Sequence, residues 1–455
     1  MGAGNNSVVT DLLVIGGGMA GLTAGARAAR AGADVVLVER APALGGSTVF
    51  TSYVWTTPTV EAMQAVNPQG DPDLGRALVE GFADGVEWIR STGTHVGDEQ
   101  PVLRYGRGYA LDANGYIRAC ERILREAGAE ILTGADTTAL ITDDGVVRGA
   151  EVVVDGTSRR IEAISTLLAT GGFQADPQLR RQYINPQADL LPLRSNPYSA
   201  GTGLKLGQSV GGVFGKADAG FYGHLLTAGV PLSDPKLFRD LGLFYSEHAL
   251  LFNLNGERFT DETQSDHLTA NALSVQPEAR GLLIADAVTY REWIDSVYVE
   301  GMEPLNSFEN ARRHNGRVAV AEDLEEFEFM PEEWGYPGAK IRDAIEAFNE
   351  AARGGSVTPG REFDLRPLDE PPYYAVEATP AITFTLGGLL IDRDARVRSR
   401  DRGTVPGLLA AGADAGGVYV RSYVGGLSSA LVFGLAAART ALERSGKRDM
   451  SPIQS

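Results

Sequence analysis

The chain has 455 residues, of which 43% are hydrophobic and 22% charged, and its formal net charge is -18. This composition is typical of a globular protein with two or three domains and a large buried core. The negative charge argues against a nucleic-acid or anionic-membrane partner, because the field of the whole protein would repel polyanions.

The cysteine and histidine content argues against a disulfide and against a metal site. A single cysteine, Cys120, cannot form an intramolecular disulfide. The five histidines are scattered without metal-ligand spacing, so we expect no metal site. The first residues, MGAGNNSVVTD, lack a leader pattern, and no apolar run is long enough to span a membrane. We therefore expect a cytoplasmic protein without membrane insertion.

The first predicted elements are a strand and a glycine-rich turn. Residues 11–15 form a short apolar run that is typical of a buried parallel strand. Gly16, Gly18 and Gly21 follow it with GxGxxG spacing. In this motif the first glycine allows the turn, the second lets a pyrophosphate approach the backbone, and the third lets the helix pack on the strand.

A helix and a second strand complete the predicted nucleotide-binding unit. The helix is rich in alanine and starts near Met19 and Ala20, where its amino-terminal amides suit a diphosphate. The strand over 34–38 ends at Glu39, where a ribose-binding carboxylate is expected, and Arg40 follows. Glu39 favours a ribose with free hydroxyls. These elements do not separate NAD from FAD.

Three later glycine-containing segments favour FAD. The first follows Glu39 closely and could run along a diphosphate and ribityl chain. The second ends a β-run over 164–173, and the third follows a strand within 405–417. Pieces spread from residue 16 to residue 430 suit a long cofactor such as FAD. The cofactor-binding residues predicted in the later part of the chain are Gly45, Gly46, Ser47, Thr48, Ala169, Thr170, Gly171, Gly172, Asp414, Gly426, Leu427 and Ser428.

Together these motifs resemble the FAD-binding fumarate reductase/succinate dehydrogenase flavoprotein family. The resemblance covers most of the chain. It rests also on four later segments, which are GTGLKLGQSVGG (201–212), NLNGERFTDE (253–262), TLGGLLID (385–392) and the YVGG tail that begins at Tyr423.

The resemblance implies an α/β fold with a Rossmann-type FAD-binding domain that is split in sequence. That domain would take residues 1–221 and 377–455, with a β-meander over about 137–163. An α+β capping domain over 222–376 would be inserted in it. In this family the active site lies between the capping domain and the isoalloxazine.

Three positions depart from the fumarate reductase pattern. In those enzymes a histidine precedes T-x-G-G, an arginine follows the RFxxE motif, and another arginine precedes the late Gly-Gly. Here the three positions hold Phe384, Asp266 and Tyr423. The cationic groups that would neutralise a dicarboxylate are lost, so fumarate and succinate are not expected substrates. Because no histidine stands in the GGST segment, we expect non-covalent FAD.

Tyr423 before Val-Gly-Gly resembles the 3-ketosteroid dehydrogenase branch, and its spacing also resembles tricarballylate dehydrogenase-like proteins. In the ketosteroid branch the equivalent tyrosine donates a hydrogen bond to a substrate ketone. The phenol and the amide near Leu427, aimed at one carbonyl oxygen, would stabilise an enolate. The alternative is that Tyr423 only packs in the interior with a satisfied hydroxyl.

The general base is less well defined by the sequence. Asp266 can accept a proton if a cleft of low dielectric raises its pKa, and the adjacent His267 titrates in the useful range. Neighbouring residues point in different directions, so at most one of them is expected to face the flavin. Either one could instead be a solvated polar residue.

Five residues are candidates for substrate binding. Arg421 could hold a second carbonyl or carboxylate of the substrate, or could be a surface arginine. Phe50, Tyr53 and Trp55 follow the GGST loop, and Phe384 replaces the family's histidine. Aromatic residues are also ordinary core residues, so packing is the alternative for these four.

The leading hypothesis is an FAD-dependent oxidoreductase that acts on a CH–CH bond next to the carbonyl of a cyclic or hydrophobic ketone. It would desaturate the ketone, or run the reverse enoyl reduction, with hydride transfer at flavin N5. One alternative is a tricarballylate-type polycarboxylate dehydrogenase with Arg421 as the anion anchor. Another is a non-catalytic FAD-binding partner protein. The substrate is a small-molecule ketone or carboxylate in the two enzyme hypotheses, and the electron acceptor is unknown.

Overall fold

A computed structural model describes residues 9–216, 218–297, 304–401 and 403–449, so the start of the chain, where no leader pattern was found, lies outside it up to residue 8. The strands are β1 Val9–Ile15, β2 Val35–Val38, β3 Tyr53–Thr56, β4 Val96–Val102, β5 Gly106–Leu111, β6 Glu130–Leu132, β7 Ala135–Asp143, β8 Val146–Val154, β9 Thr157–Leu168, β10 Phe214–Gly215, β11 Phe221–Thr227, β12 Leu250–Asn253, β13 Gly281–Ala285, β14 Asp295–Ser296, β15 Leu305–Asn306, β16 Val318–Ala321, β17 Tyr373–Thr385, β18 Gly388–Leu390, β19 Arg396–Ser399, β20 Gly403–Ala410 and β21 Ala415–Gly416. The helices are α1 Met19–Arg30, α2 Val60–Val66, α3 Pro72–Ser91, α4 Ala113–Glu126, α5 Pro177–Tyr183, α6 Thr202–Ser209, α7 Leu237–Asp240, α8 Asp266–Leu273, α9 Ala287–Thr289, α10 Ser307–Arg313, α11 Gly338–Arg353 and α12 Gly426–Arg444.

The chain divides into two compact units. Unit 1 takes the described residues up to 179, residues 195–220 and the described residues from 384 onward. Unit 2 takes residues 180–194 and 221–383. The sequence assigned residues 180–194, residue 221 and residues 377–383 to the FAD-binding domain, whereas in the structure they group with unit 2.

Unit 1 is built on a parallel sheet. Strands β6, β2, β1, β9 and β20 are adjacent in this order and run parallel, and β19 adds an antiparallel edge. Six of the seven residues of β1 are buried, as expected for a strand covered on both faces. Strands β7, β8 and β9 form an antiparallel meander, with tight turns at Asp144-Gly145 and Asp155-Gly156 where the backbone is left-handed.

Helix α12 packs closely against α1 and α3. A Cβ atom at Gly434 would lie 2.8 Å from the carbonyl oxygen of Ala20, so a side chain there would push α12 away from α1. On α3, a Cβ atom at Gly85 would lie 2.7 Å from the side chain of Leu431. Small residues thus bring the last helix against the first one, beside the glycine turn.

Unit 2 is built on a sheet in which β11, β17, β13 and β12 are adjacent in this order, and β16 pairs with β17. Alternate residues of its strands face opposite sides. Leu251 and Leu283 pack with Ala270 of α8 and Phe308 of α10. Their neighbours Leu250 and Leu282 belong to a second cluster, which includes residues of α11. Apolar side chains therefore bury both faces of this sheet.

Candidate functional site

The glycine-rich segments meet at one edge of the parallel sheet of unit 1. Strands β1, β9 and β20 end at Ile15, Leu168 and Ala410, and β2 ends beside β1 at Val38. In open α/β sheets, ligands bind in the crevice at the carboxyl ends of the strands. The loops after these four strands therefore form the candidate cofactor site.

The turn after β1 has the shape that the GxGxxG spacing predicts. Gly16 has a φ of 111°, and a Cβ atom there would lie 2.1 Å from the carbonyl oxygen of Ala169. A Cβ atom at Gly21 would lie 1.9 Å from the carbonyl oxygen of Gly16. At Gly18 the nearest described atom to an added Cβ is the carbonyl oxygen of Gly45, at 3.9 Å. The first and third glycines therefore serve the turn and the packing, and the middle one borders open space.

Helix α1 begins at Met19, so Met19 and Ala20 lie in its first turn. The backbone N–H groups of a first helical turn have no partner within the helix. The hydroxyl of Thr48 accepts a hydrogen bond from the N–H of Met19 at 3.0 Å. The hydroxyl of Ser47 lies 2.9 Å from that of Ser195. Hydroxyls and helix amides of this kind suit phosphate oxygens, and the helix dipole adds a positive field.

Glu39 is buried at the end of β2. Its carboxylate oxygens accept hydrogen bonds from the N–H groups of Gly17 and Ala41, both at 2.7 Å. Each carboxylate oxygen can accept a further hydrogen bond, so ribose hydroxyls remain possible donors. Arg40 is exposed, and its guanidinium pairs with Asp136 at 2.7 Å. Its predicted contact with the cofactor stays a prediction.

Asp414 holds the loop after β9. Its carboxylate accepts from the backbone N–H groups of Thr170 at 2.5 Å and Gly172 at 3.1 Å, and from the Thr170 hydroxyl at 3.1 Å. Burial raises the pKa of Asp414, and these three hydrogen bonds oppose that rise. Asp414 therefore positions the Ala169–Gly172 loop, and its own contact with a cofactor stays a prediction.

Two buried polar atoms beside this loop test whether the site fits FAD. A Cβ atom at Gly172 would lie 2.7 Å from Thr385 Oγ1 and 2.9 Å from Gln174 Oε1. Neither oxygen has a hydrogen-bond partner among the described residues, although both side chains are buried. Buried polar atoms without partners are rare in folded proteins. The hydroxyls and ring N–H group of a bound FAD offer suitable donors, so the residues fit this cofactor.

Tyr423 lies among aromatic side chains of unit 1, which we call the aromatic cluster: Trp55, Tyr105, Phe384, Tyr419 and Tyr423. The rings of Trp55 and Phe384 meet that of Tyr423 edge-on, with centroid distances of 5.4 and 5.7 Å. The hydroxyl of Tyr105 donates to the backbone carbonyl of Tyr423 at 3.2 Å. The surroundings of the Tyr423 ring within unit 1 are therefore largely apolar.

Helix α12 begins three residues after Tyr423. Gly426, Leu427 and Ser428 form its first turn, so their N–H groups have no partner within the helix. A Cβ atom at Gly426 would lie 2.9 Å from the Phe384 ring and 3.5 Å from the Tyr423 ring. The positive end of the helix therefore lies beside the aromatic cluster.

The segment 418–425 is fixed by side chains on both sides. The buried amide of Asn67 donates to the backbone carbonyl at position 418 at 2.7 Å and accepts from the N–H at position 420 at 3.1 Å. The hydroxyl of Tyr419 donates to the carbonyl of Gly425 at 2.8 Å. Burial raises the pKa of Tyr419, which keeps this hydroxyl a donor. These bonds set the backbone that carries Tyr423.

The other predicted pocket residues of unit 1 are Arg421, Tyr53 and Phe50, and they lie in more exposed or more polar surroundings than the aromatic cluster. Arg421 has a left-handed backbone with a φ of 57°, is exposed, and lies 3.6 Å from the carboxylate of Asp218. The hydroxyl of Tyr53 accepts from the amide of Gln100 at 2.9 Å. Phe50, at the end of a short 3-10 turn, is 41% exposed.

In unit 2, Asp266 begins helix α8 and is part of a hydrogen-bonded group. Its carboxylate bonds with Nδ1 of His224 and accepts from the N–H of Leu225 at 3.1 Å. On the other side of the ring, His224 Nε2 lies 2.9 Å from the hydroxyl of Tyr222. Our sequence reasoning missed Tyr222 and His224. The sequence signal that could have found them is their i, i+2 spacing, because it places both side chains on one face of a strand, here β11.

His267 has a different environment from Asp266. Its Nδ1 lies 2.9 Å from the hydroxyl of Ser265, and its side chain is buried. Burial lowers the pKa of His267 to about 4, so its imidazole is neutral near pH 7. The two neighbouring residues therefore have separate partners, as expected for successive positions at a helix start.

No helix in the described parts of the chain combines the length and the apolar character that crossing a membrane requires. Within the same residues, no three or more His, Cys, Asp or Glu side chains are grouped as metal ligands would be.

A family model described as "FAD binding domain" matches residues 11–428. The chain belongs to this FAD-binding family. Urocanate reductase of Eggerthella lenta is 26% identical over 448 aligned positions, which cover 89% of this chain and 70% of that protein. A probable fumarate reductase of Shewanella frigidimarina is 27% identical over 467 positions, with 95% and 74% covered.

Solved structures share the fold. A 3-ketosteroid delta1-dehydrogenase from Sterolibacterium denitrificans, in complex with 1,4-androstadiene-3,17-dione, matches with a TM-score of 0.76 at 17% identity. The match covers 96% of this chain and all of that one. The predicted mixed α/β fold with an FAD-binding domain is confirmed, and so are the family resemblance and the FAD cofactor. As a member of this FAD-binding family, the protein is an FAD-dependent oxidoreductase.

Proposed function

We propose that this flavoprotein acts on a CH–CH bond next to the carbonyl group of a cyclic or hydrophobic ketone. Relatives are named urocanate reductase and fumarate reductase, and a 3-ketosteroid dehydrogenase shares the fold. Bound non-covalently, FAD would accept a hydride during desaturation and return it during enoyl reduction. Residues at the edge of the parallel sheet would hold it, above all Gly18, Glu39 and Thr48.

The observation that carries the proposal is the position of Tyr423 beside the first turn of α12. Its hydroxyl and the N–H of Leu427 are two donors for one substrate carbonyl oxygen. Removal of a proton from the α-carbon places negative charge on that oxygen. Donors aimed at it in an apolar setting stabilise this charge, and each is worth about a hundredfold or more in rate.

The aromatic cluster supports an apolar substrate. Trp55 and Phe384 meet the Tyr423 ring directly, and neither carries a positive charge that would neutralise a carboxylate. Arg421, the anion anchor of the polycarboxylate alternative, is exposed and already lies near Asp218. A ketone is therefore better supported than a polycarboxylate.

The reaction also needs an acceptor for the α-proton. We keep the group around Asp266 in this role, since it contains a carboxylate and an imidazole joined by a hydrogen bond. His267 is a weaker candidate, because burial lowers the pKa of its imidazole to about 4.

Flavin absorbance under anaerobic conditions tests the proposed substrate class. Oxidised protein is mixed with cyclohexanone, 4-androstene-3,17-dione and tricarballylate, and dithionite-reduced protein with the matching unsaturated compounds. We expect the ketones to bleach the flavin, or the enones to restore its colour. Exchange with tricarboxylates alone would support the polycarboxylate dehydrogenase. No exchange with any of these compounds would contradict the proposed substrate class.

Tyr423→Phe tests the residue. We expect turnover to fall about a hundredfold or more while FAD stays bound, because one of the two donors to the oxyanion is lost. Tyr198→Phe, at an exposed tyrosine of unit 1, is the matched control and should keep the wild-type rate. Equal rates in Tyr423→Phe and wild type would remove the phenol from the mechanism.

A further inference from the structure

Two buried side chains of unit 1 have oxygen atoms that no described residue satisfies. We propose that Gln174 Oε1 and Thr385 Oγ1 form a binding site for hydrogen-bond donors of FAD, which are its ribityl hydroxyls or the N–H groups of its isoalloxazine. Neither residue was predicted from the sequence to bind the cofactor. This site concerns the cofactor alone, so it does not depend on the proposed ketone substrate.

The orientation of the Gln174 amide is fixed by its own nitrogen. Nε2 donates to the backbone carbonyl of Gly171 at 2.9 Å. A carbonyl oxygen only accepts hydrogen bonds, so the NH2 group must lie on this side of the amide and Oε1 on the other. The hydroxyl of Ser195 lies 3.4 Å from Nε2 and 2.9 Å from the Ser47 hydroxyl, which joins the same amide to the GGST loop. Oε1 is therefore an acceptor held in one direction by two of the cofactor loops.

Gly172 brings the two oxygens to one small space. A Cβ atom there would lie 2.7 Å from Thr385 Oγ1 and 2.9 Å from Gln174 Oε1, so both acceptors are within hydrogen-bonding range of a single point. The N–H of Gly172 donates to Asp414 at 3.1 Å and is not directed at either oxygen. A donor group seated beside the Gly172 backbone would therefore meet both acceptors at once.

Burial makes these two oxygens unusual. Gln174 and Thr385 are only 0% and 1% exposed, and neither oxygen has a hydrogen-bond partner among the described residues. A buried acceptor without a donor costs free energy, and nearly all such groups in folded proteins are satisfied. FAD carries hydroxyl and N–H donors, so the bound cofactor would supply what the described residues do not.

The neighbours of the two residues indicate which part of FAD they meet. Thr385 follows Phe384 of the aromatic cluster. Gln174 is joined through two hydroxyls to the GGST loop, whose Thr48 bonds with the first N–H of α1. The site therefore connects the region that suits a diphosphate with the aromatic cluster. In FAD the ribityl chain and then the isoalloxazine follow the diphosphate, and both carry donors.

Thr385→Val in the full-length protein tests the site, because valine has nearly the shape of threonine and lacks the hydroxyl. The apoprotein should melt at the wild-type temperature or above it, since an unsatisfied buried hydroxyl is removed. FAD should bind about tenfold more weakly or worse, since a buried donor of the cofactor loses its partner. Thr166→Val is the matched control, because Thr166 lies within β9, is fully buried, and its hydroxyl has no partner among the described residues. This variant should keep the wild-type affinity for FAD.

Melting curves of the apoproteins and FAD titrations followed by flavin fluorescence measure the two effects. An FAD affinity of Thr385→Val within about twofold of that of Thr166→Val overturns the site. A lower melting temperature of the Thr385→Val apoprotein also overturns it, because Oγ1 would then stabilise the fold itself. Neither readout requires turnover, so a failure of the ketone proposal leaves this site in place.

Gln174→Met extends the test to the second oxygen. Because both oxygens face one space, the double variant with Thr385→Val should lose less FAD affinity than the product of the two single losses. This comparison cancels the effect of the lost bond to Gly171, which is the same in both backgrounds. Losses that simply multiply would overturn a shared site.

Titration with reduced FAD identifies the donor, since reduction adds an N–H group to the isoalloxazine. A greater loss of affinity in Thr385→Val for reduced than for oxidised FAD would assign the donor to that ring N–H. Equal losses would assign it to a group present in both forms, such as a ribityl hydroxyl. Either result supports the site.

Discussion

At the residue scale, the glycines of the first turn have two different tasks. A Cβ atom at Gly21 would collide with the Gly16 carbonyl oxygen at 1.9 Å, whereas one at Gly18 would meet only the Gly45 carbonyl oxygen at 3.9 Å. The need for close packing therefore explains why residue 21 is a glycine, and the approach of a ligand explains why residue 18 is one.

Two alanine variants separate these tasks. Gly21→Ala should destabilise the apoprotein by about 1–3 kcal/mol, because the new methyl overpacks the turn. Gly18→Ala should leave the melting temperature of the apoprotein nearly unchanged. It should weaken FAD binding about tenfold or more, and a tenfold change corresponds to about 1.4 kcal/mol of binding free energy. Thermal melts of the apoproteins and FAD titrations measure the two effects. Equal loss of apoprotein stability in both variants would contradict the distinction.

The buried His267 makes stability depend on pH. Burial lowers its pKa to about 4, whereas the unfolded chain titrates near its ordinary value of about 6.5. Between these values the unfolded state binds the proton and the native state does not. This contribution is therefore complete above about pH 6.5 and is lost as the pH falls towards 4, by up to roughly 3 kcal/mol.

His267→Gln should flatten this dependence. Urea unfolding at pH 7 and pH 4.5 should show a smaller loss of unfolding free energy in the variant than in the wild type. His314→Gln, at an exposed histidine, should lose as much as the wild type. An unchanged loss in His267→Gln would show that this imidazole is not desolvated in the native state.

At the element scale, helix α12 and the segment 418–425 form one supporting structure for Tyr423. Close packing of α12 on α1 fixes the helix start, and Asn67 fixes the segment that precedes it. Correct placement of reacting groups contributes strongly to rate, and small displacements are costly. Residues that support Tyr423 from a distance are therefore expected to affect the rate of the reaction.

Asn67→Ala tests this support. We expect turnover to fall about tenfold or more, since the backbone around Tyr423 loses its two amide hydrogen bonds. FAD should remain bound, because these two bonds of the Asn67 side chain go to positions 418 and 420 and not to the glycine loops. Asn114→Ala, at an exposed position in α4, is the control. Normal turnover in Asn67→Ala would show that the segment keeps its shape without this clamp.

At the scale of the whole molecule, FAD is expected to contribute to stability by binding the native state alone. A ligand at a hundred times its dissociation constant stabilises the native state by about 2.7 kcal/mol. Because non-covalent binding is reversible, acid precipitation should release the flavin into the supernatant. The stripped protein should melt at a lower temperature, and added FAD should restore the original value. Flavin that stays with the precipitate would indicate a covalent link.

The sequence by itself determined the parts of the protein whose residues lie close together in the chain. A strand, a glycine turn, a helix and the acidic residue Glu39 follow one another within thirty residues, and local backbone preferences fix their arrangement. The FAD-binding fold could therefore be predicted, as could the start of α12 near Tyr423. The three later glycine-containing segments favoured FAD over NAD, and the family resemblance agreed with that choice.

Only the tertiary structure decided which distant residues meet. Trp55 and Phe384 reach the Tyr423 ring from positions far apart in the chain, and His224 and Asp266 are 42 residues apart in sequence. Turn chemistry and hydrophobic periodicity act over a few residues and contain no information about such pairs. These contacts are set by the way strands and helices pack, so Asp266 could be recognised as a candidate from the sequence, but its bond to His224 could not.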